Sequence, residues 1–205
     1  MEKEVIRITF ADTKISLLDS KIGGSFIWES DNPPGIFLAQ INLSDLIHVK
    51  DLPSNGWLQF FVEKDPDFGL SMDKGSVIYR PVLKGSEIRS DYEITPILKE
   101  ARMRFSYGKE DVSCSDYRFD KEETEDMYDK YSGAGSKIFG YPDFCQWDPR
   151  RASEKNRKYD TLLLQLDSDF DHIMWGDSGI GNFFINSKDL KNKDFSDILF
   201  NWDCC

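Results

Sequence analysis

Histidine is almost missing from this chain: His48 and His172 are the two among 205 residues. A site built from several imidazoles, for metal binding or proton relay, is therefore excluded. Cysteine is sparse as well. Cys114, Cys145, Cys204 and Cys205 show neither a CxxC nor a CxxH spacing, so the patterns of zinc and dithiol chemistry are absent. The adjacent Cys204 and Cys205 would supply half of a tetrahedral zinc site. No run approaches the roughly 18 consecutive apolar residues of a membrane helix, so no membrane is expected as a partner. The opening residues 1–4 lead straight into an alternating segment instead of a basic-then-apolar leader; the expectation is a cytoplasmic chain with reduced thiols. Positive charge is in deficit, with 26 Lys and Arg against 37 Asp and Glu and a net charge of −11. A generic nucleic-acid binder needs the opposite sign, because phosphate neutralisation supplies most of its affinity. No cofactor is indicated either.

What is present is core material: 40% hydrophobic residues and 14% aromatic ones, mostly phenylalanine. Residues 4–10 (EVIRITF) alternate with Ile6, Ile8 and Phe10 on one face, which predicts a strand. A short strand is expected at 14–18. The runs 36–42 (IFLAQIN), 57–63 (WLQFFVE), 76–83 (SVIYRPVL) and 102–107 (RMRFSY) are β-rich, with Pro81 marking an edge or a break. Later strands are expected at 161–166, 181–186 and 198–202. Residues 116–131 (DYRFDKEETEDMYDKY) are the best helix candidate, because Phe119, Met127 and Tyr131 recur at helical spacing among charges. Crossover helices are otherwise missing. The chain reads as mainly β, an antiparallel roll-like single domain over residues 1–205 with few short helices.

Three blocks recur in the same order, which points to internal duplication. Ser20-Lys21-Ile22-Gly23-Gly24 is echoed by Ser136-Lys137-Ile138-Phe139-Gly140, and a tryptophan follows each, Trp28 and Trp147. Leu38-Ala39-Gln40-Ile41-Asn42 is echoed by Leu163-Leu164-Gln165-Leu166-Asp167, and the Phe60-Phe61 strand by Phe183-Phe184. The first copy spans about 20–62, the second about 136–185, and about 66–130 reads as an insertion. Gly24 and Gly140 suit a turn needing positive φ. Gln40 and Gln165, polar residues in apolar runs, must find partners, either each other across a pseudo-twofold axis or neighbouring backbone. Adjacent phenylalanines in a strand point to opposite faces, which suits packing on both sides.

The segments SKIGG (20–24), FLAQINLSDL (37–46), LPSNGWLQFF (52–61), SCSDYRFD (113–120), FGYPDFCQWD (139–148), LLLQLDSD (162–169) and WGDSGIGNFFI (175–185) together resemble the YwqG-like family of bacterial proteins, a domain of unknown function. The resemblance implies a single mainly-β, roll-like domain in the bacterial cytosol. It brings no catalytic or binding residues with it.

Chemistry-bearing groups concentrate late in the chain. Gly176-Asp177-Ser178-Gly179 matches the tetrapeptide around a serine-protease nucleophile, but a triad also needs a suitable histidine, and His48 sits in an apolar Leu-Ile-His-Val context. Turn formation explains the tetrapeptide. Asp167, Asp169 and Asp171 alternate as in the first half of an EF-hand loop, yet His172 stands where glycine is needed and Ser178 where glutamate is needed. A solvated acidic turn and a divalent-cation site both stay open. Arg150, Arg151, Lys155, Arg157 and Lys158 read as an exposed basic loop, ahead of the stretch 160–187, which has five aspartates and no lysine or arginine.

Three functions compete. The first is a protein-binding module, possibly of the toxin-neutralising (immunity) type, whose acidic face docks a partner with a basic surface. The second is a small-molecule or carbohydrate binder at the junction of the repeat copies. The third is a carboxylate- or metal-assisted hydrolase using Asp167, Asp169, His172 and Asp177. A duplicated chain mimics a dimer internally, so a monomer is expected.

Overall fold

Alternation places the first strand. In β1 (Lys3–Ala11) Ile6 and Ile8 are buried, while Arg7 between them and Thr9 after them are exposed. The computed structural model describes residues 2–30, 32–47, 49–64, 67, 75–89, 95–120 and 126–204. After β1 come β2 (Lys21–Ile22), β3 (Ser25–Trp28), β4 (Ile36–Asn42), β5 (Trp57–Val62), β6 (Ser76–Arg80) and β7 (Ser86–Arg89). Then follow β8 (Ala101–Glu110), the helix α1 (Met127–Lys130), β9 (Lys137–Phe139) and α2 (Pro149–Ala152). The chain ends with β10 (Thr161–Asp167), β11 (Ile180–Ile185), α3 (Ser187–Asn192) and β12 (Ile198–Asp203).

Ten strands form one antiparallel sheet in the order β12-β11-β10-β9-β1-β8-β2-β4-β5-β6, and β3 with β7 forms a small second sheet. The large sheet curls until its two edge strands approach each other, nearly closing a barrel. Phe60 and Phe183 meet edge-on at 5.3 Å inside it. The main core fills the interior, with Ile22, Leu38, Ile41, Leu164, Leu166 and Trp175 among its buried members. Pro81 follows the edge strand β6 directly, and the strand stops before it.

The order of strands is a palindrome about the β1–β8 pair. Thr9 stands opposite Arg104, and exchanging the two strands about that point sends Arg7 to Arg102 and Ile8 to Met103. The neighbours obey the same exchange. Arg7 pairs with Lys137 and Arg102 with Lys21; the Ile8 amide donates to the Ser136 carbonyl at 2.8 Å, and the Met103 amide to the Ser20 carbonyl at 2.9 Å. Further out, β4 and β10 carry bulges at corresponding places, between Phe37 and Ala39 and between Leu162 and Leu164. The duplicated halves thus exchange their first strands: β1 pairs with β9 of the second half, and β8 with β2 of the first.

The repeated residues do matching work. Gln40 Nε2 donates to the carbonyls of Leu17 and Asp19 at 2.9 and 3.1 Å, and Gln165 Nε2 to those of Gly133 and Gly135, both at 2.8 Å. Each glutamine therefore caps local backbone instead of meeting the other. Gly24 and Gly140 have φ of 72° and 74°, and a Cβ at either would run into the carboxylate of Glu100 or Glu110. Lys21 and Lys137 are both buried, and desolvation lowers the pKa of each. In the Phe-Phe strands Phe60 and Phe183 enter the main core, while Phe61 and Phe184 face outward under separate covers. Burial of each such ring is worth about 1.5–3 kcal/mol.

The covers differ between halves. Over the first, β3 brings Phe26 and Trp28 onto Phe37 and Phe61. Over the second, Phe144 and Tyr159 from an irregular segment pack on Leu162, Phe184 and Leu199. Phe144 on Phe184, at 6.1 Å, is the counterpart of Trp28 on Phe61, at 5.3 Å, so Trp147 is not the partner of Trp28; it is 54% exposed.

Four expectations need correction. Residues 116–120 are turn and coil, 121–125 lie outside the described residues, and only Met127–Lys130 is helical. Phe119 and Tyr131 do meet, with ring centroids 5.5 Å apart, but across a loop. Residues 14–18 form no strand, because Lys21 Nζ draws in the Ser16 carbonyl and Gln40 that of Leu17, bending the chain away. Of the stretch 66–130, β6 and β8 belong to the common sheet, in the positions that mirror β12 and β1. Arg150 is fully buried and not part of an exposed basic loop. His48 and Cys205 lie outside the described residues.

Candidate functional site

The β10–β11 loop closes one end of the barrel, and one carboxylate organises it. Asp169 Oδ1 accepts from the amides of Asp171, His172 and Ile173 at 3.2, 2.7 and 3.1 Å. Its Oδ2 lies 2.7 Å from His172 Nδ1. His172 Nε2 reaches Asp12 Oδ1 at 3.1 Å, and the other oxygen of Asp12 pairs with Lys99 at 2.6 Å. The sequence could not show this chain of contacts, since Asp12 comes from the far end of β1.

Titration follows from the contacts. Partial burial opposes the His172 charge, but its bonds to Asp169 and Asp12 outweigh that and raise its pKa. Asp169 is likewise opposed by burial, and the amides of His172 and Ile173 with the His172 ring bring its pKa below the ordinary carboxylate value. Asp12 is lowered by Lys99 and His172. The contacts tie Asp169, His172, Asp12 and Lys99 into a clamp on the turn.

The remaining candidates go separate ways. Asp167 Oδ2 accepts from the Gly135 amide at 2.7 Å, and burial raises its pKa. Asn42 fills the matching position in the first half and donates to the Leu18 carbonyl at 3.2 Å. Asp171 and Asp177 are exposed. Asp167 and Asp169 thus have different partners, the Gly135 amide for one and His172 for the other. Among the described residues, no three His, Cys, Asp or Glu side chains are grouped so as to hold a metal ion. Cavities of about 510, 440 and 370 Å³ are lined by other residues.

Between the two acids of the turn stands a residue that the sequence reading passed over. Phe170 is 64% exposed and holds φ at 66°. A side chain in this left-handed region costs roughly 1–2 kcal/mol. The three amides gathered by Asp169 fix the turn and so fix that strain. The signal in the sequence was the aromatic inside Asp-x-Asp, a place where a turn would normally carry a polar residue.

A second cluster lies under the cover of the second half. Asp116-Tyr117-Arg118 and Asp148-Pro149-Arg150 each fold the arginine back on its aspartate: Arg118 Nε to Asp116 at 2.7 Å, Arg150 Nε to Asp148 at 2.9 Å. Each motif also grips the other, through Arg150 to Asp116 at 3.0 Å and the Tyr117 amide to Asp148 at 2.9 Å. Arg150, Asp116 and Asp148 are fully buried. Burial pushes the Asp116 carboxyl up, but Arg118 and Arg150 together bring its pKa below the ordinary value. Lys3, facing this cluster and the Tyr141 ring 4.5 Å away, has its pKa lowered to about 8 by burial and by Arg118. The repeated Asp-x-Arg ties the two segments together.

Fold and site together define a class: a mainly-β, near-barrel domain of two strand-exchanged halves whose buried polar groups hold loops in place. The chain belongs to the family described as Domain of unknown function (DUF1963), whose model matches residues 20–204. No curated protein matches it. Among the described residues, no helix is long and apolar enough to cross a membrane.

Proposed function

We propose that this chain is a YwqG-like protein-binding module of the bacterial cytosol that presents Phe170, flanked by Asp169 and Asp171, to a partner with a basic surface. The observation that carries the reading is the strained, exposed aromatic on a clamped turn. Strain at an exposed position is retained where the surrounding structure over-determines it, and such positions concentrate at recognition sites. A rigid aromatic with an acidic border is a suitable anchor: the ring supplies burial, and Asp171 with the net charge of −11 steers the approach. Neutralisation of a basic toxin is one form this role takes.

The test is capture from the source cell with wild-type and Phe170→Ala baits, followed by titration of the purified partner. The reading expects a partner that the wild type binds and the variant binds at least about tenfold more weakly, a change of about 1.4 kcal/mol. Equal binding by both baits, or no protein retained by the wild type at low and moderate salt, overturns it.

A further inference from the structure

The two ends of the barrel are related by the axis through Thr9 and Arg104, yet among the described residues a covering segment lies along only one of them. At the β10–β11 end, residues 95–99 lie along the loop. The His172 carbonyl accepts from the amides of Leu98 and Lys99 at 2.8 and 3.1 Å, and the Met174 amide donates to the Pro96 carbonyl at 2.8 Å. Between them Ile97 bridges to Ile173, and its side chain packs against the core.

The β4–β5 loop occupies the mirrored place at the other end. There Tyr107, which corresponds to Asp12, accepts from the Ile47 amide at 2.7 Å, as Asp12 takes His172. Counted from the matched strand ends, Ile47 follows Asn42 by five residues as His172 follows Asp167, and Val49 follows by seven as Met174 does. Among the described residues, no hydrogen bond reaches the Ile47 carbonyl or the Val49 amide, the two groups whose counterparts hold residues 96–99. Ile47 is 71% exposed. A groove of about 440 Å³ runs beside it, lined by Val5, Ile47, Val49, Tyr107 and Phe139, and a cavity of about 510 Å³ adjoins through Ile47 and Val49. Lys3 and Glu4, which mirror Leu98 and Lys99, are committed to the ladder, opposite Glu110 and Lys109.

The geometry points to a docking groove for an extended, apolar segment of a partner protein, which pairs with the backbone at Ile47 and Val49 and lays an isoleucine-like side chain into the cavity. The molecule carries its own copy of such a ligand, Thr95-Pro96-Ile97-Leu98-Lys99, seated on the mirrored loop. The rim holds charges of both signs, Glu4 with Lys50 and Lys109, so an apolar segment fits it better than a strongly charged one. Strand addition of this kind draws affinity from main-chain bonds and selectivity from the side-chain pocket. This surface is separate from Phe170, and either reading stands if the other fails.

The probe is a capped synthetic peptide with the sequence of residues 95–100, titrated into the isotopically labelled full chain and followed by amide chemical shifts. The proposal expects saturable shifts at Ile47, Val49 and Tyr107, abolished by the exposed substitution Ile47→Asp. It also expects binding at least about tenfold weaker for a peptide N-methylated at both the leucine and the following lysine, which removes both donors to the Ile47 carbonyl. Three results overturn it: no shift at these residues up to the solubility limit, shifts confined to His172 and Met174, or equal binding of the methylated peptide. The last result would make the groove an apolar small-molecule site instead. A folded Ile47→Asp variant, checked by its unfolding midpoint, keeps loss of binding distinct from loss of structure.

Discussion

At Phe170 two demands conflict. The backbone angle asks for glycine or asparagine, and the exposed ring gains little from the fold. Glycine there relieves strain of about 1 kcal/mol, reduced by its larger unfolded-state entropy. Phe170→Gly is therefore expected to raise stability by roughly 0.5–1 kcal/mol, seen as a higher urea midpoint at unchanged slope, while weakening partner binding. A loss of stability would mean that the ring packs usefully in the free molecule. His172 permits a signed prediction. Its pKa is raised by Asp169 and Asp12, so the charged form favours the folded state. That contribution is complete below the unfolded value near 6.5 and disappears as pH rises through the higher folded value. Asp169, with its pKa lowered, adds stability above about 4 and loses it as pH falls through its folded value. The difference in melting temperature between wild type and His172→Gln is thus expected to be largest between about pH 4.5 and 6 and to shrink towards pH 8. A difference that grows with pH contradicts the clamp.

Among the elements, alternation made β1 legible, and β4, β5, β10, β11 and β12 were legible as short β-rich apolar runs, the pattern of strands packed on both faces. The segment 116–131 was misread for a physical reason. Its spaced aromatics imitate an amphipathic face, but Asp116 satisfies its charge through Arg118 two residues on and through Arg150 far along the chain. An Asp-x-Arg turn competes with a helix for the same backbone, and the distant arginine decides the outcome. The same blindness hid Asp12 from His172. Of the candidate site, the loop was found but the residue that distinguishes it, Phe170, was not, since its significance lies in a backbone angle. The ion cluster carries its own prediction. Arg150→Met leaves Asp116 and Asp148 buried without their shared partner, at a cost of about 3–5 kcal/mol in urea unfolding. Arg150→Lys should recover little, because an ammonium cannot reproduce the fork that reaches both carboxylates. A near-neutral Arg150→Met would show that the cover of the second half is held by Phe144 and Tyr159 alone.

For the whole molecule, the exchange of first strands has a consequence for folding. Duplicated halves that each kept their own strands would be free to fold separately. Here β1 completes the second half and β8 the first, so neither sheet is whole without the other. The two halves also share one interior, with Phe60 of one against Phe183 of the other and Gly75 leaving room for Phe183 and Phe200. Unfolding is accordingly expected to be a single cooperative transition, with tryptophan fluorescence and far-ultraviolet circular dichroism coincident. Division of the chain between residues 90 and 94 makes the stronger test. Each fragment keeps its apolar strands but loses the ladder partner of its inner edge, which leaves buried main-chain groups unpaired. Alone, neither fragment is expected to unfold cooperatively; mixed in equal amounts, they should regain the native spectrum and a concentration-dependent melting temperature. If one fragment alone shows a native-like cooperative transition, the ladder from β1 to β9 and from β8 to β2 is not what unites the halves.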